Sequence, residues 1–380
     1  MMHKDKISVM HITYDMRIGG TEMVIKNIIE GSDANLFEMS IFCIESPLGP
    51  FADDLLIKGI DISTHARQPG FDVSLLKSIR RHIKLHKIDV IHCHQYTPYV
   101  YGVLAAIGTK TRVIFTEHGR FYPDSSSWKR KLINPLLNRL TFATTAISTA
   151  TKHALVEFEN IPEGAIQVIY NGIAPVVYDK QQVESLKQQY QIQPDEICLG
   201  TIARLDPIKN HSMMLKAFKI VIEAGIKARL LIVGDGEERQ NIELLIDKLG
   251  LSQHVIMTGY ESKPQALLAM MDIYLLSSLS EGTSMTLLEA MSIGKPCVVT
   301  DAGGNSEIIQ DNVNGIVTLN DNDEMFAAAI IELLEDKIKF NDYSKSSVRI
   351  FNHRFAVDLM SKKYEALYIN AVMKIKRTKN

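Results

Sequence analysis

Short β-branched runs alternate with amphipathic helical stretches from one end of this chain to the other, and that alternation restricts its fold most. Strands are predicted at Ile7–Ile12, Met39–Ile44, Val90–His92, Arg112–Thr116, Phe142–Ala146 and Gln167–Ile169. Helical periodicity fills the intervals, for example over Glu22–Glu30, Val73–His86 and Thr97–Ile107. Strands separated by helices run parallel, because a helical crossover returns the chain to the sheet in the same direction. A second series follows the turn-favouring pair Asn171-Gly172, with strands at Ile197–Ile202, Ala228–Val233, Val255–Thr258, Ile273–Leu276 and Cys297–Val299. Helices are predicted near His211–Ala224, Glu237–Leu249, Pro264–Met270 and Met285–Ile293, and one long helix over Ala356–Lys376 carries Tyr364, Leu367 and Tyr368 on its apolar face. With 380 residues the chain exceeds one ordinary core, so two α/β units are expected, divided near residues 172–180. Units of this kind bind ligands at the carboxyl ends of their strands, here in a cleft between the two.

Several function classes are excluded at this point. A formal net charge of −2 supplies no field for nucleic acid. Cys43, Cys93, Cys198 and Cys297 form no Cys-x-x-Cys pair and read as reduced, buried thiols of a cytoplasmic protein. Met1-Met2-His3-Lys4 leads directly into the first strand, leaving no room for a signal peptide. The longest apolar stretch, Tyr99–Gly108, is about half the ~20 residues that a membrane span needs.

Four junctions carry chemistry. Gly19-Gly20 lies between the first strand and its helix, where a backbone without side chains and free helix amides suit an anion; a plain turn is the alternative. Arg204 and Lys209 follow the strand ending at Ile202 and are placed to neutralise a diphosphate, unless they are a solvated pair around Pro207. Gly234-Asp235-Gly236 lacks the third glycine of a dinucleotide fingerprint and reads as a close-packed turn lining a nucleotide cleft. The most specific segment runs from Glu281 through Gly282, Met285 and Thr286 to Glu289. Two carboxylates there can accept hydroxyl hydrogens, one from a ribose and one from a hexose, with helix amides between them for phosphate. Alternatively, Thr286-Leu287-Leu288-Glu289 is a capping box that Glu289 merely completes.

Glu281, seven intervening residues and Glu289, followed by Ala290-Met291 and Gly294-Lys295-Pro296, resemble the signature of retaining family 4 glycosyltransferases, the group 1 enzymes of GT-B architecture. Gly19-Gly20-Thr21-Glu22, Asp89-Val90-Ile91-His92-Cys93-His94, Thr116-Glu117-His118-Gly119, Asn171-Gly172-Ile173 and Ala302-Gly303-Gly304-Asn305-Ser306-Glu307 resemble further family motifs in the family's order. The resemblance implies an α/β fold of two Rossmann-like domains whose parallel sheets face across a cleft. Residues 1–175, joined by a returning helix at 356–380, would form the acceptor-side domain, and 176–355 the nucleotide-sugar domain. Arg204 and Lys209 would hold the donor diphosphate and stabilise its departure. Glu289 would bind the ribose, Glu281 with Gly282 the transferred sugar, and His118 would sit at the sugar's reactive end. Amides of Gly20, Met285 and Thr286, beside Gly19, would add phosphate or sugar contacts. Thr283-Ser284 departs from the Phe-Gly of many members, and Ala203 stands where Gly is common, which points to a subgroup difference around the donor sugar.

The implied reaction transfers a hexose-type sugar with retention from a nucleoside diphosphate sugar, by default a UDP-sugar, to a glycan or lipid-linked acceptor of cell-surface polysaccharide synthesis. No cofactor is implied. Same-face attack is the implied route, and the sequence leaves open a covalent role for Glu281. His92 and His94 point to one face of a strand and His118 can join them, so a three-histidine zinc site is conceivable but lacks a fourth ligand or a zinc-enzyme motif. Asp321-Asn322-Asp323 mimics a metal triplet and reads as a turn. Trp128–Leu137 reads as a basic amphipathic helix, either a peripheral contact with the inner membrane surface or an ordinary cover for the sheet. Nucleotide-sugar epimerisation, glycan phosphorolysis and non-catalytic nucleotide-sugar binding are the rival functions.

Overall fold

Thirteen strands form among the described residues, 6–119 and 125–377 of this computed structural model. Met1–Lys4, on which the reading against a signal peptide rests, lies outside them. In the first unit the strands are β1 (Ile7–Thr13), β2 (Phe37–Cys43), β3 (Asp61–Thr64), β4 (Val90–His94), β5 (Arg112–Glu117), β6 (Ala143–Ala146) and β7 (Ile166–Val168). In the second they are β8 (Ile197–Ile202), β9 (Ala228–Val233), β10 (Val255–Gly259), β11 (Ile273–Leu276), β12 (Cys297–Thr300) and β13 (Gly315–Thr318). The first unit comprises Met1–Ile173 with Val357–Asn380, and the second Ala174–Ala356.

Each unit holds one sheet. The first runs β3-β2-β1-β4-β5-β6-β7 and the second β10-β9-β8-β11-β12-β13. Every pairing recorded within these sheets is parallel, and His11 of β1 stands opposite Ile41 of β2 and His92 of β4. Helices cover both faces, so the central strands are buried on both sides and read as unbroken apolar runs, as Leu230-Leu231-Ile232 does in β9. Strand order reverses beside β1 and again beside β8, so the loops after β1 and β4, and after β8 and β11, leave in opposite directions. Two strands had no sequence expectation, β3 and β13, and both are edges.

The helix Val357–Arg377 belongs to the first unit. It lays fully buried Tyr364 and Tyr368 against the sheet, each worth about 2–3 kcal/mol of apolar burial. Their hydroxyls find partners there: Tyr368 OH lies 2.8 Å from His92 Nδ1 and Tyr364 OH 3.3 Å from Thr116 Oγ1. The opposite nitrogen of His92 lies 2.6 Å from Thr116 Oγ1, which in turn lies 2.5 Å from Thr145 Oγ1. A buried network thus ties the end of the chain to β4, β5 and β6. Because a buried polar atom left without a partner costs about 1–3 kcal/mol, Tyr368→Phe is expected to lower unfolding stability by that amount. Urea denaturation measures it, and an unchanged midpoint at equal slope would show that the hydroxyl contributes nothing.

Candidate active site

In the second unit the backbone after β8 is pinned before any side chain acts. Leu205 N donates to Asp235 O at 2.9 Å and Glu238 N to Leu205 O at 3.0 Å. Gly234, at φ +141°, permits this, since a Cβ there would lie 2.0 Å from Ala203 O. The Gly234–Gly236 turn therefore packs the Arg204 loop. Asp206 organises that loop: its Oδ2 takes Arg204 Nε at 2.7 Å, and its Oδ1 takes the amide of Lys209 at 3.2 Å. The Arg204 guanidinium remains exposed while Asp206 is nearly covered.

Lys209 turns inward. Its Nζ stands 2.6 Å from Glu281 Oε1, an oxygen that also accepts from Ser278 Oγ at 2.6 Å. The backbones are laced as well, with Ser277 Oγ donating to Lys209 O and Leu279 N to Ile208 O. The loop after β12 closes over Glu281, whose carbonyl accepts from Gly304 N at 3.0 Å. Gly303 holds φ +55°, and a Cβ there would come within 1.9 Å of that carbonyl.

The helix Met285–Ser292 is capped by Ser284, whose Oγ accepts from Leu287 N at 3.3 Å. This overturns the capping-box alternative: the cap lies two residues before Thr286, and Glu289 sits past the turn that a cap can reach. Thr286 Oγ1 instead meets Tyr274 OH at 2.6 Å. The Glu289 carboxylate pairs with no described residue, and burial pushes its pKa up to about 7. Asp321 lies at a turn as expected, with φ +53° and accepting from Asn210 Nδ2, whereas Asp323 opens the helix Asp323–Glu335 that Asn322 caps.

In the first unit Gly19 is the extended cap of the helix Gly20–Gly31, and its carbonyl accepts from Met23 N. Glu22 folds back beneath Gly19, and burial raises its pKa to about 7, helped by the nearby Asp15 charge and opposed by its own amide. His118 follows β5, with its Nε2 2.8 Å from His94 Nδ1. The histidine trio differs from the expected one: ring atoms of His11, His92 and His94 lie within 4.8 Å of one another, whereas His118 bonds to His94. The cause is register, since β1 pairs with β4 and sets His11 opposite His92. Both nitrogens of His92 are already engaged, by Tyr368 and Thr116. Burial lowers the pKa of His11 and His118 to about 3 and of His92 and His94 well below the usual range, leaving these imidazoles neutral at pH 7.

The geometry gathers the expected residues at strand carboxyl ends, Gly19, Gly20 and His118 in one unit, Arg204, Lys209, Glu281, Gly282, Met285, Thr286 and Glu289 in the other. It adds four that sequence reasoning assigned no role: Asp206, Ser278, His11 and Glu22. Asp206 had a signal, since Asp before Pro marks a helix start. Ser278 had none.

Residues 18–176 match the profile of Glycosyltransferase Family 4, and residues 182–349 that of Glycosyl transferases group 1. The N-acetyl-alpha-D-glucosaminyl L-malate synthase of Bacillus anthracis is 29% identical over 314 residues, 80% of each chain. The UDP-Gal:alpha-D-GlcNAc-diphosphoundecaprenol alpha-1,3-galactosyltransferase of Escherichia coli is 25% identical over 97% of this chain and 98% of the other. The crystal structure of HepE from Anabaena, in complex with UDP and glucose, superposes with a TM-score of 0.82 at 22% identity, covering 94% of this chain and 98% of that one. At that identity the likeness concerns fold, and the fold is GT-B. With one profile matched in each unit, the chain belongs to the group 1 glycosyltransferases of family 4 and is a glycosyltransferase.

Proposed function

We propose that this glycosyltransferase moves a hexose-type sugar from a nucleoside diphosphate sugar, a UDP-sugar by default, to a glycan or lipid-linked acceptor in cell-surface polysaccharide synthesis, with retention and without a metal. One observation carries the reading: Arg204 and Lys209 are oriented by Asp206 and Glu281 on loops laced together at the strand-order reversal of the second unit. A departing diphosphate gathers negative charge as the anomeric carbon becomes cationic. Cations already aimed at that charge stabilise it without reorganising. Arg204 supplies an exposed planar fork, and Lys209 a point charge.

Glu281 is the sugar contact in this reading. Its Oε1 already accepts from Lys209 and Ser278, which damps nucleophilicity and favours same-face attack over a covalent intermediate. Glu289 carries burial without compensation, the state of a group that awaits hydroxyl donors, and we assign it to the ribose. In the first unit we assign the Gly19-Gly20 amides and His118 to the phosphate and the sugar. The Escherichia coli relative, named for UDP-Gal and a diphosphoundecaprenol substrate, supports the donor and acceptor classes.

A lipid-linked acceptor requires access to a membrane surface. No helix among the described residues is long and apolar enough to cross one. The helix Trp128–Leu140, however, exposes Trp128, Lys129, Leu132, Ile133, Leu136, Arg139 and Leu140, which share one arc of about 140° at the ~100° per residue of an α-helix. Trp128 is 73% exposed and Leu132 66%, and the helix carries no acidic residue. We assign this face to the anionic inner surface of the cytoplasmic membrane, with rings and aliphatic chains in the interface and cations at the headgroups.

Arg204→Ala and Lys209→Ala are each expected to lower kcat by about 10²–10³-fold with the circular dichroism spectrum retained. Release of nucleoside diphosphate from a UDP-hexose panel measures this, and near-normal turnover in both variants would remove the diphosphate clamp. Glu289→Gln gives a second test. The carboxyl's pKa rises from 4.5 to about 7 on folding, so its burial costs stability as pH rises between those values and costs most above them. The variant is expected to melt above the parent at pH 8, to match it at pH 4, and to bind UDP more weakly. Equal melting at pH 8 would show that the carboxylate is compensated. Finally, replacing Trp128, Leu132 and Leu136 together by Ser is expected to weaken sedimentation with phosphatidylglycerol vesicles at least about tenfold while soluble-acceptor turnover persists. Equal sedimentation would clear this helix of membrane contact.

A further inference from the structure

Three imidazoles in the first unit form a chain whose two ends are both unpaired. His118 Nε2 lies 2.8 Å from His94 Nδ1, and His94 Nε2 lies 2.9 Å from His11 Nδ1. The outer nitrogens, His118 Nδ1 and His11 Nε2, are buried and have no hydrogen-bond partner among the described residues. A neutral imidazole carries one N–H and one lone pair. Two successive N–H···N bonds therefore force all three protons to point the same way along the chain, either toward His118 or toward His11. Burial keeps each ring neutral, so no imidazolium interrupts the pattern.

The two directions differ at their ends. Protons pointing toward His11 would leave its Nε2–H in the core among the rings of His92, His94 and Tyr368, with no acceptor. Orphaned buried N–H groups are rare in folded proteins. Protons pointing the other way leave a lone pair there and place the last N–H on His118, the one residue of the three that is not fully buried, although Nδ1 itself is covered. Sugar hydroxyl and phosphate oxygens all accept hydrogen bonds, so a ligand that displaces the cover over this half-buried residue can satisfy that end.

We infer that the chain is polarised outward: His11 Nδ1–H donates to His94, His94 Nδ1–H donates to His118, and His118 presents Nδ1–H to a substrate oxygen. His118 is then a hydrogen-bond donor and not a general base. A proton accepted at its Nδ1 would have no exit, because the chain ends blind at His11 Nε2. His94 and His11 are positioning residues that fix its tautomer. The link to substrate rests on the role proposed above for His118; the polarity of the chain does not.

Long-range proton–nitrogen correlation spectra of the full chain, labelled with ¹⁵N-histidine, read each tautomer directly. Single His→Gln variants assign the signals. The expected result is the Nδ1–H form at His11, His94 and His118, and an Nε2–H form at any of the three overturns the proposal. His94→Asn keeps an amide N–H near the position of Nδ1, whereas His94→Leu has no donor. His118 is expected to hold its Nδ1–H form in the Asn variant and to lose it in the Leu variant, with kcat about tenfold lower and donor KM unchanged in the latter. Persistence of the Nδ1–H form in His94→Leu would overturn the positioning role. Unchanged kcat in His118→Ala, beside the expected tautomers, would instead discard the substrate contact and leave the chain's polarity standing.

Discussion

Both sheets grow outward from their first strand, β1 in one unit and β8 in the other, and every crossover in such a sheet must return over one face or the other. Where the order reverses, the flanking helices leave over opposite faces, and in the second unit the two loops between them are laced to each other through Leu279 N on Ile208 O and Ser277 Oγ on Lys209 O. Arg204, Lys209 and Glu281 collect there because that end of a parallel sheet offers backbone ends, helix starts and room together. Glycine sets how closely the loops approach. At Gly234 and Gly303 the chain adopts left-handed backbone to let one loop rest on another's carbonyl, so that Arg204 and Glu281 stand on supported backbone.

Within the second unit, charges are treated in two ways. Lys209, Glu281, Arg204 and Asp206 are paired, so they are held in place before any ligand arrives. Glu289 is half-buried and pairs with no described residue. Such a group weakens the folded state, and its persistence fits a carboxylate whose partners come with a ligand. Glu22, equally strained by burial beneath the Gly19-Gly20 loop, is the first unit's counterpart.

Much of this was legible because central parallel strands announce themselves. β8, β9 and β11 are read from apolar runs to the residue, since burial on both faces leaves them few polar side chains, Thr201 and Arg229 among them. The edges escaped for the opposite reason. β3 is Asp61-Ile62-Ser63-Thr64 and half-exposed, and β13 opens on a glycine, so neither carries the pattern by which strands are recognised. The site divided along similar lines. Glycine loops and cations at strand ends were visible, whereas His11 was not, because its importance depends on the pairing of β1 with β4. The helix start at Met285 was read correctly, but Ser284 went unnamed as its cap because Thr286 with Glu289 offered the familiar spacing of a capping box.

The returning helix Val357–Arg377 makes the second unit an insertion within the first. During synthesis, residues 174–356 are therefore all available before the first unit receives Tyr364 and Tyr368. Until then His92 and Thr116 lack those two partners, and the apolar surface that the helix covers stays open. The unit that begins first is thus completed last, and the interval is the period in which a chaperone or a second nascent chain can reach the uncovered sheet.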